Sequence, residues 1–147
     1  MKAIVINQHG SSDLFVEIQT DNPRARAGHV IVDVRATSVN PVDTKIRRGS
    51  EGTAGLTFPA TLHIDVSGVV SSVGTGVTRF NPGDEVYGCF GGIVGIPGAL
   101  ADQMEVDAQM LALKPKSLSF GEAASLPLVA ITAWEALIDR ASIKPND

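Results

Sequence analysis

The chain has 147 residues, 44% of them apolar: enough for one hydrophobic core, too few for a second full domain. Its net charge of -4, with Lys45, Arg47 and Arg48 as the basic cluster, argues against a nucleic-acid partner, since polyanions are held by clustered Lys and Arg that neutralise phosphates. A single cysteine, Cys89, excludes an internal disulfide and a cysteine-built zinc cluster, and no apolar run approaches the roughly 18 residues of a membrane span.

The opening run Met1-Lys2-Ala3-Ile4-Val5-Ile6 passes at once into Asn7, Gln8 and His9, too short for the apolar core of a signal peptide, so a reducing cytoplasm is the expected home. Alternating and β-branched runs predict strands over 2–7, 15–20 and 29–38. A short helix follows, with Asn40 as N-cap, Pro41 at the first helical position, Asp43 near the positive end and Gly49 as the stop. The basic cluster then falls in its last turn, where cations offset the helix macrodipole. Further strands are expected over 65–73, 85–87, 101–107 and 110–114. Gly74-Thr75-Gly76 and Asn81-Pro82-Gly83-Asp84 read as turns between strands, and residues 88–98 as a flexible loop. Ser119 with Glu122 makes a capping box for a second helix, which Pro127 breaks or kinks before an apolar run resumes over 129–138. That run is apolar around so much of its circumference that it is expected to pack on two sides, or to leave apolar surface open. The chain closes on Ile143-Lys144-Pro145-Asn146-Asp147, a polar, turn-like stretch that reads as a domain boundary.

Several chemistries fail for lack of residues. A dinucleotide-binding loop needs glycines directly between a strand and a helix, where backbone N–H groups meet the phosphates. The nearest match, Gly74-Thr75-Gly76-Val77-Thr78-Arg79, has Arg79 where the third glycine belongs and runs into Phe80-Asn81-Pro82-Gly83, which cannot open a helix. His9, His29 and His63 are too scattered for a catalytic zinc, and His63 reads as a strand-end or hydrogen-bonded histidine. No Gly-x-Ser-x-Gly elbow is present, and Cys89 reads as a packed or loop residue. What remains is a polar set, Asn40, Asp43, Lys45, Asp65 and Thr132, amid apolar neighbours. A buried Asp65 must find partners, and a strand-end cap or an ion pair with Lys45 or Arg47 would supply them. Thr132, mid-helix, would by default bond back to a carbonyl one turn earlier.

Four stretches in order carry a family resemblance. They are Ser38-Val39-Asn40-Pro41-Val42-Asp43-Thr44-Lys45-Ile46-Arg47-Arg48-Gly49, the strand from Asp65 to Gly74, Arg79-Phe80-Asn81-Pro82-Gly83-Asp84-Glu85-Val86-Tyr87-Gly88, and Ala123-Ala124-Ser125-Leu126-Pro127 leading to Thr132-Ala133-Trp134. Together they resemble the N-terminal half of medium-chain dehydrogenase/reductases, most of all the zinc-independent quinone-oxidoreductase branch. The resemblance implies a mainly β fold, a GroES-like partly open β-barrel with short peripheral helices and a C-terminal linking helix. Residues 1–126 would form the substrate-side domain, and 127–147 would lead toward a Rossmann domain outside this sequence.

The implied activity is reduction of quinones or α,β-unsaturated carbonyls by metal-free hydride transfer from NADPH or NADH, bound mainly by that other domain. Asn40 sits where zinc-dependent relatives place a cysteine ligand, and Ile64 where they place a histidine, so no zinc is expected. The resemblance makes Asn40 and Lys45 the catalytic candidates, Asn40 and Thr132 the cofactor contacts, and Asp43, Asp65 and Phe90 the substrate-pocket candidates. Quinone reductases often carry a tyrosine at the Lys45 position, and a lysine there could instead donate to developing negative oxygen. The whole enzyme is expected as a homodimer, with residues 1–147 inactive alone. A zinc-type alcohol dehydrogenase domain and a stand-alone GroES-like binding module are the competing readings.

Overall fold

Val30, Val32 and Val34 at alternate positions give β3 (His29–Thr37) one face for the core, Val66 and Val70 with Gly68 between them do the same for β5 (Asp65–Val73), and these two strands form the centre of the larger sheet. The computed structural model describes residues 1–50, 55–93 and 95–144. Its larger sheet is antiparallel, in the order β7 (Gln103–Asp107), β3, β5, β6 (Glu85–Cys89), β8 (Leu111–Leu113). A smaller sheet orders β2 (Val16–Gln19), β1 (Lys2–Ile6) and β4 (Ala60–Thr61). The bridge between Ala3 and Ala101 and the bond from Ile4 N–H to Leu100 O stitch the sheets along one side without closing them. The result is the partly open barrel expected.

Val30, Val32, Val66, Val70, Val86, Val106 and Phe80 make the main core. A second cluster, Ile6, Ile46, Ala60, Leu62 and Ile64, packs the first helix, α1 (Pro41–Arg48), against the smaller sheet.

Three expectations change. β4 was not foreseen, because two residues are too few to show alternation. The stretch 88–98, expected as a loop, begins inside β6: Gly88 pairs with Val66 and Leu111, and Cys89 with Asp65. Gly88 belongs there because the backbone carbonyl of Met110 occupies the space a Cβ would need. Ile93 and Ile96 then form a short bridge, with Val94 outside the described residues.

At the C-terminal end Pro127 separates two helices by starting the second. α2 (Phe120–Ala124) carries the expected Ser119–Glu122 capping box, and α3 (Pro127–Trp134) begins at Pro127 itself, two residues before the expected 129, because proline suits the first helical position. α3 passes into a π-helical segment, Glu135–Arg140. One side of α3 packs near β6, but Val129, Ile131 and Trp134 stay more than half exposed. Of the closing stretch, residues 145–147 lie outside the described residues.

Candidate functional site

The end of β3, the start of β5 and the N-termini of α1 and α3 converge on one carboxylate. Asp65, the first residue of β5, is 0% exposed. A carboxylate without water needs hydrogen-bond donors, and besides the Cys89 thiol it has three O–H and N–H groups. Ser38 Oγ donates to Oδ2 at 2.7 Å, Asn40 Nδ2 donates to the same oxygen at 2.8 Å, and the Leu128 backbone N–H donates to Oδ1 at 3.0 Å. The Leu128 amide belongs to the first turn of α3, whose N–H groups have no partner within the helix and whose end carries partial positive charge. These donors are neutral, so of the two alternatives, a strand-end cap or an ion pair with Lys45 or Arg47, the ion pair is the one that does not form. The guanidinium of Arg47 instead donates to Gly10 O. Lys45 is exposed, because it lies two residues from Asp43 on α1 and so faces away from the buried side.

Asn40 and Asp43 are both buried at the start of α1. Asn40 Nδ2 also donates to Ser38 Oγ at 3.2 Å, closing a ring of Ser38, Asn40 and Asp65. Asp43 Oδ2 accepts the Asn40 backbone N–H at 2.6 Å, while its Oδ1 is buried with no partner among the described residues. Burial raises the Asp43 carboxyl above its ordinary range, against the pull of the Asn40 N–H.

His63 is the nearby group that sequence reasoning set aside as a hydrogen-bonded histidine. Thr37 spends its hydroxyl hydrogen on Asp65 O at 2.6 Å, so the contact at 3.4 Å between Thr37 Oγ1 and His63 Nδ1 assigns the hydrogen to Nδ1. Burial lowers the imidazole pKa, with the charge of Asp43 opposing. Cys89, cross-strand from Asp65, is half-buried, and its thiol is pushed up to about 12 by burial first, then by the charge of Asp65 and hydrogen bonding to it.

Thr132 lies on the exposed side of α3 and donates to Leu128 O at 2.8 Å, the default bond one turn back. Its lone pairs remain available to an incoming donor.

Phe90 goes elsewhere. It packs on the main core, meets the His29 ring edge-on at 6.5 Å, and lines a cavity of about 580 Å³ between the sheets with Val5, Ile18 and Met104. Asn40, Asp43, Asp65 and Thr132 do not line that cavity. A second, apolar cavity of about 430 Å³ lies between β6, β8 and α3, bounded by Tyr87, Cys89, Leu111, Pro127 and Ile131.

The structure therefore brings together Asn40, Asp43 and Asp65, links Thr132 to them through Leu128, and leaves Lys45 and Phe90 outside. Ser38, Thr37 and the Leu128 amide join the set without having been foreseen. Among the described residues no group of three or more His, Cys, Asp and Glu is arranged for a metal ion.

Residues 26–116 match the alcohol dehydrogenase GroES-like domain family. The chain is 38% identical to the human mitochondrial NAD(P)H oxidoreductase RTN4IP1 over 93% of its own length and 38% of that protein's. To the chloroplastic NADPH-dependent alkenal/one oxidoreductase of Arabidopsis thaliana it is 37% identical, over 94% of this chain and 37% of the relative. The quinone oxidoreductase of Coxiella burnetii superposes with a TM-score of 0.90 at 34% identity, covering 100% of this chain and 47% of that one. The chain thus spans less than half the length of the proteins it matches. Two of these relatives are organellar, mitochondrial and chloroplastic, which overturns the expectation of a cytoplasmic home. A lone cysteine marks only a reducing environment and does not single out the cytoplasm.

Proposed function

Because this chain belongs to the alcohol dehydrogenase GroES-like domain family of the medium-chain dehydrogenase/reductases, we propose that it is the substrate-side domain of an NAD(P)H oxidoreductase that reduces quinones or α,β-unsaturated carbonyls without a metal. The observation that carries this reading is the donor set at the polar corner. Where zinc-dependent relatives would place ligands, the chain has Asn40, whose amide is committed to Asp65 and Ser38, and Ile64, whose side chain offers no lone pair.

The residues present fit the dinucleotide at its nicotinamide end only. Gly74-Thr75-Gly76 leads toward β6 and not into a helix, so the phosphates would be held by a domain outside this sequence. Asn40 and Thr132 are the residues that would meet the nicotinamide, Thr132 by accepting from its carboxamide while still donating to Leu128 O. The bound cofactor would supply the hydride. The chain's own part is to orient the electron-poor carbon and exclude water, which the apolar cavity beside α3 would serve. Asp43, at the same corner, would border the substrate, and Lys45 would reach it only by extending from the exposed side of α1. Residues 1–126 form the domain proper, 127–147 the connection, and the whole enzyme is a homodimer.

The test is NADPH and NADH oxidation by the protein carrying this domain joined to its dinucleotide-binding domain, with a benzoquinone and an enone as acceptors, before and after chelation. Turnover that survives chelation is expected, and none from residues 1–147 alone. Loss of turnover with removal of stoichiometric zinc would establish the alcohol dehydrogenase reading, and absence of dinucleotide binding the stand-alone module.

A further inference from the structure

We propose that Asp65 is a positioning residue that holds the two proposed nicotinamide-side groups, Asn40 and Thr132, in one register; this deepens the reading above and rests on it. With no exposed surface, Asp65 cannot touch a ligand itself. Its two oxygens are instead divided between the two groups that could. Oδ2 holds the Asn40 carboxamide, and Oδ1 holds the Leu128 N–H, whose own carbonyl takes the Thr132 hydroxyl. A carboxylate is planar with fixed spacing between its oxygens, so it ties the N-cap of α1 to the first turn of α3 as one rigid unit.

The tether matters because little else holds α3. Only Pro127 of that helix is fully buried, and its apolar side chains are spread around the axis without a single inward face. The hydrophobic effect therefore gives weak instruction about where α3 should lie. A charge-assisted bond at its N-terminus supplies that instruction, with the helix dipole in the favourable sense. Ser38 completes the arrangement by fixing Oδ2 while accepting the other hydrogen of the Asn40 amide.

Every protein group around the carboxylate is a donor, which makes Asp65→Asn a directed probe. Its single oxygen would face the two donors Ser38 and Asn40, and its NH₂ would confront the Leu128 N–H, so the variant severs α3 and keeps Asn40. By hydrogen exchange on residues 1–147, the Leu128 amide is expected to exchange at least about tenfold faster, the size of one lost hydrogen bond to a charged group. Val32 and Val70, in the sheet, should not change. Ser38→Ala, a milder variant, should speed exchange of the Asn40 carboxamide and leave Leu128 unaltered. An unchanged Leu128 in Asp65→Asn, or a uniform acceleration across the sheet in both variants, would overturn the proposal.

In the protein with its dinucleotide-binding domain, Asp65→Asn should lower kcat for the enone while the KM for the dinucleotide stays close to wild type. A fall in dinucleotide affinity with kcat intact would also overturn it. Failure of the wild type to reduce any enone or quinone would remove the functional reading and leave the exchange result standing.

Discussion

The reactivity of Cys89 tests how burial and the charge of Asp65 act at the polar corner. Its thiol is raised from an ordinary 9.0 to about 12. At pH 8 that shift lowers the thiolate fraction roughly a thousandfold, since each pKa unit is a factor of ten. Part of the loss returns, because a more basic thiolate is the better nucleophile; with a Brønsted slope of about 0.4–0.5 the gain over three pKa units is roughly 16- to 32-fold. The balance is a reaction with an aromatic disulfide reagent about 30–60 times slower than that of an unstructured cysteine peptide, before any steric protection. The assay is release of the coloured thiolate by native protein against the same protein unfolded in denaturant. Asp65→Asn should accelerate it, because the charge of Asp65 is the second cause of the shift, yet leave it slower than the peptide, because burial is the first. A native rate within about threefold of the peptide's would refute the reasoning.

Gly68 in β5 lies where a Cβ would meet Val32 Cγ1 at 2.7 Å and crowd the carbonyl of Asp33. Gly68→Ala should therefore cost about 1–3 kcal/mol by overpacking, read from urea denaturation, and a loss below about 0.5 kcal/mol would contradict it. Asp43 sets a pH dependence: its folded pKa is raised above the ordinary 3.8, so its contribution to stability is full below that value and is lost as pH rises through the folded pKa. Asp43→Asn should remove that part of the slope, so a pH series of denaturant midpoints should show the wild type falling relative to the variant across the window. The Glu122 carboxyl is held below its ordinary range by the N–H and hydroxyl of Ser119. Ser119→Ala should let the Glu122 carboxyl rise toward 4.5 in an NMR titration and fray α2.

The strands that were legible in the residues are those whose side chains alternate against a core. β3 announces itself by valines at every second position from 30 to 34 and β5 by a valine-rich run with Val66 and Val70 on one face, whereas β4 is two residues long and has no period to show. β6 was cut short because Gly88 reads as a loop residue, and only the carbonyl of Met110 on the neighbouring chain segment explains why a strand needs it. At the site, Asn40, Asp43 and Asp65 stood out as polar residues in apolar surroundings, and burial brings them together. The partners of Asp65 were harder. A charge suggests an opposite charge, but helical geometry turns Lys45 away from the buried face of α1. The third donor is a backbone amide, and an amide has no residue type to read. Its one trace is Pro127, which fixes the first helical position and so leaves the N–H of Leu128 needing a partner.

The exposure of α3 has a consequence for any mutational scan of this chain. Val129, Ile131 and Trp134 bury too little surface to add much to folding free energy, so replacing them with polar residues should leave the barrel's melting unchanged. A screen that selects for folding would score these positions as freely variable and score Asp65 and Val66 as fixed. Scored for turnover in the longer protein, the ranking of α3 would rise. The gap between the two rankings, position by position, would map the surface that folding of this domain does not require.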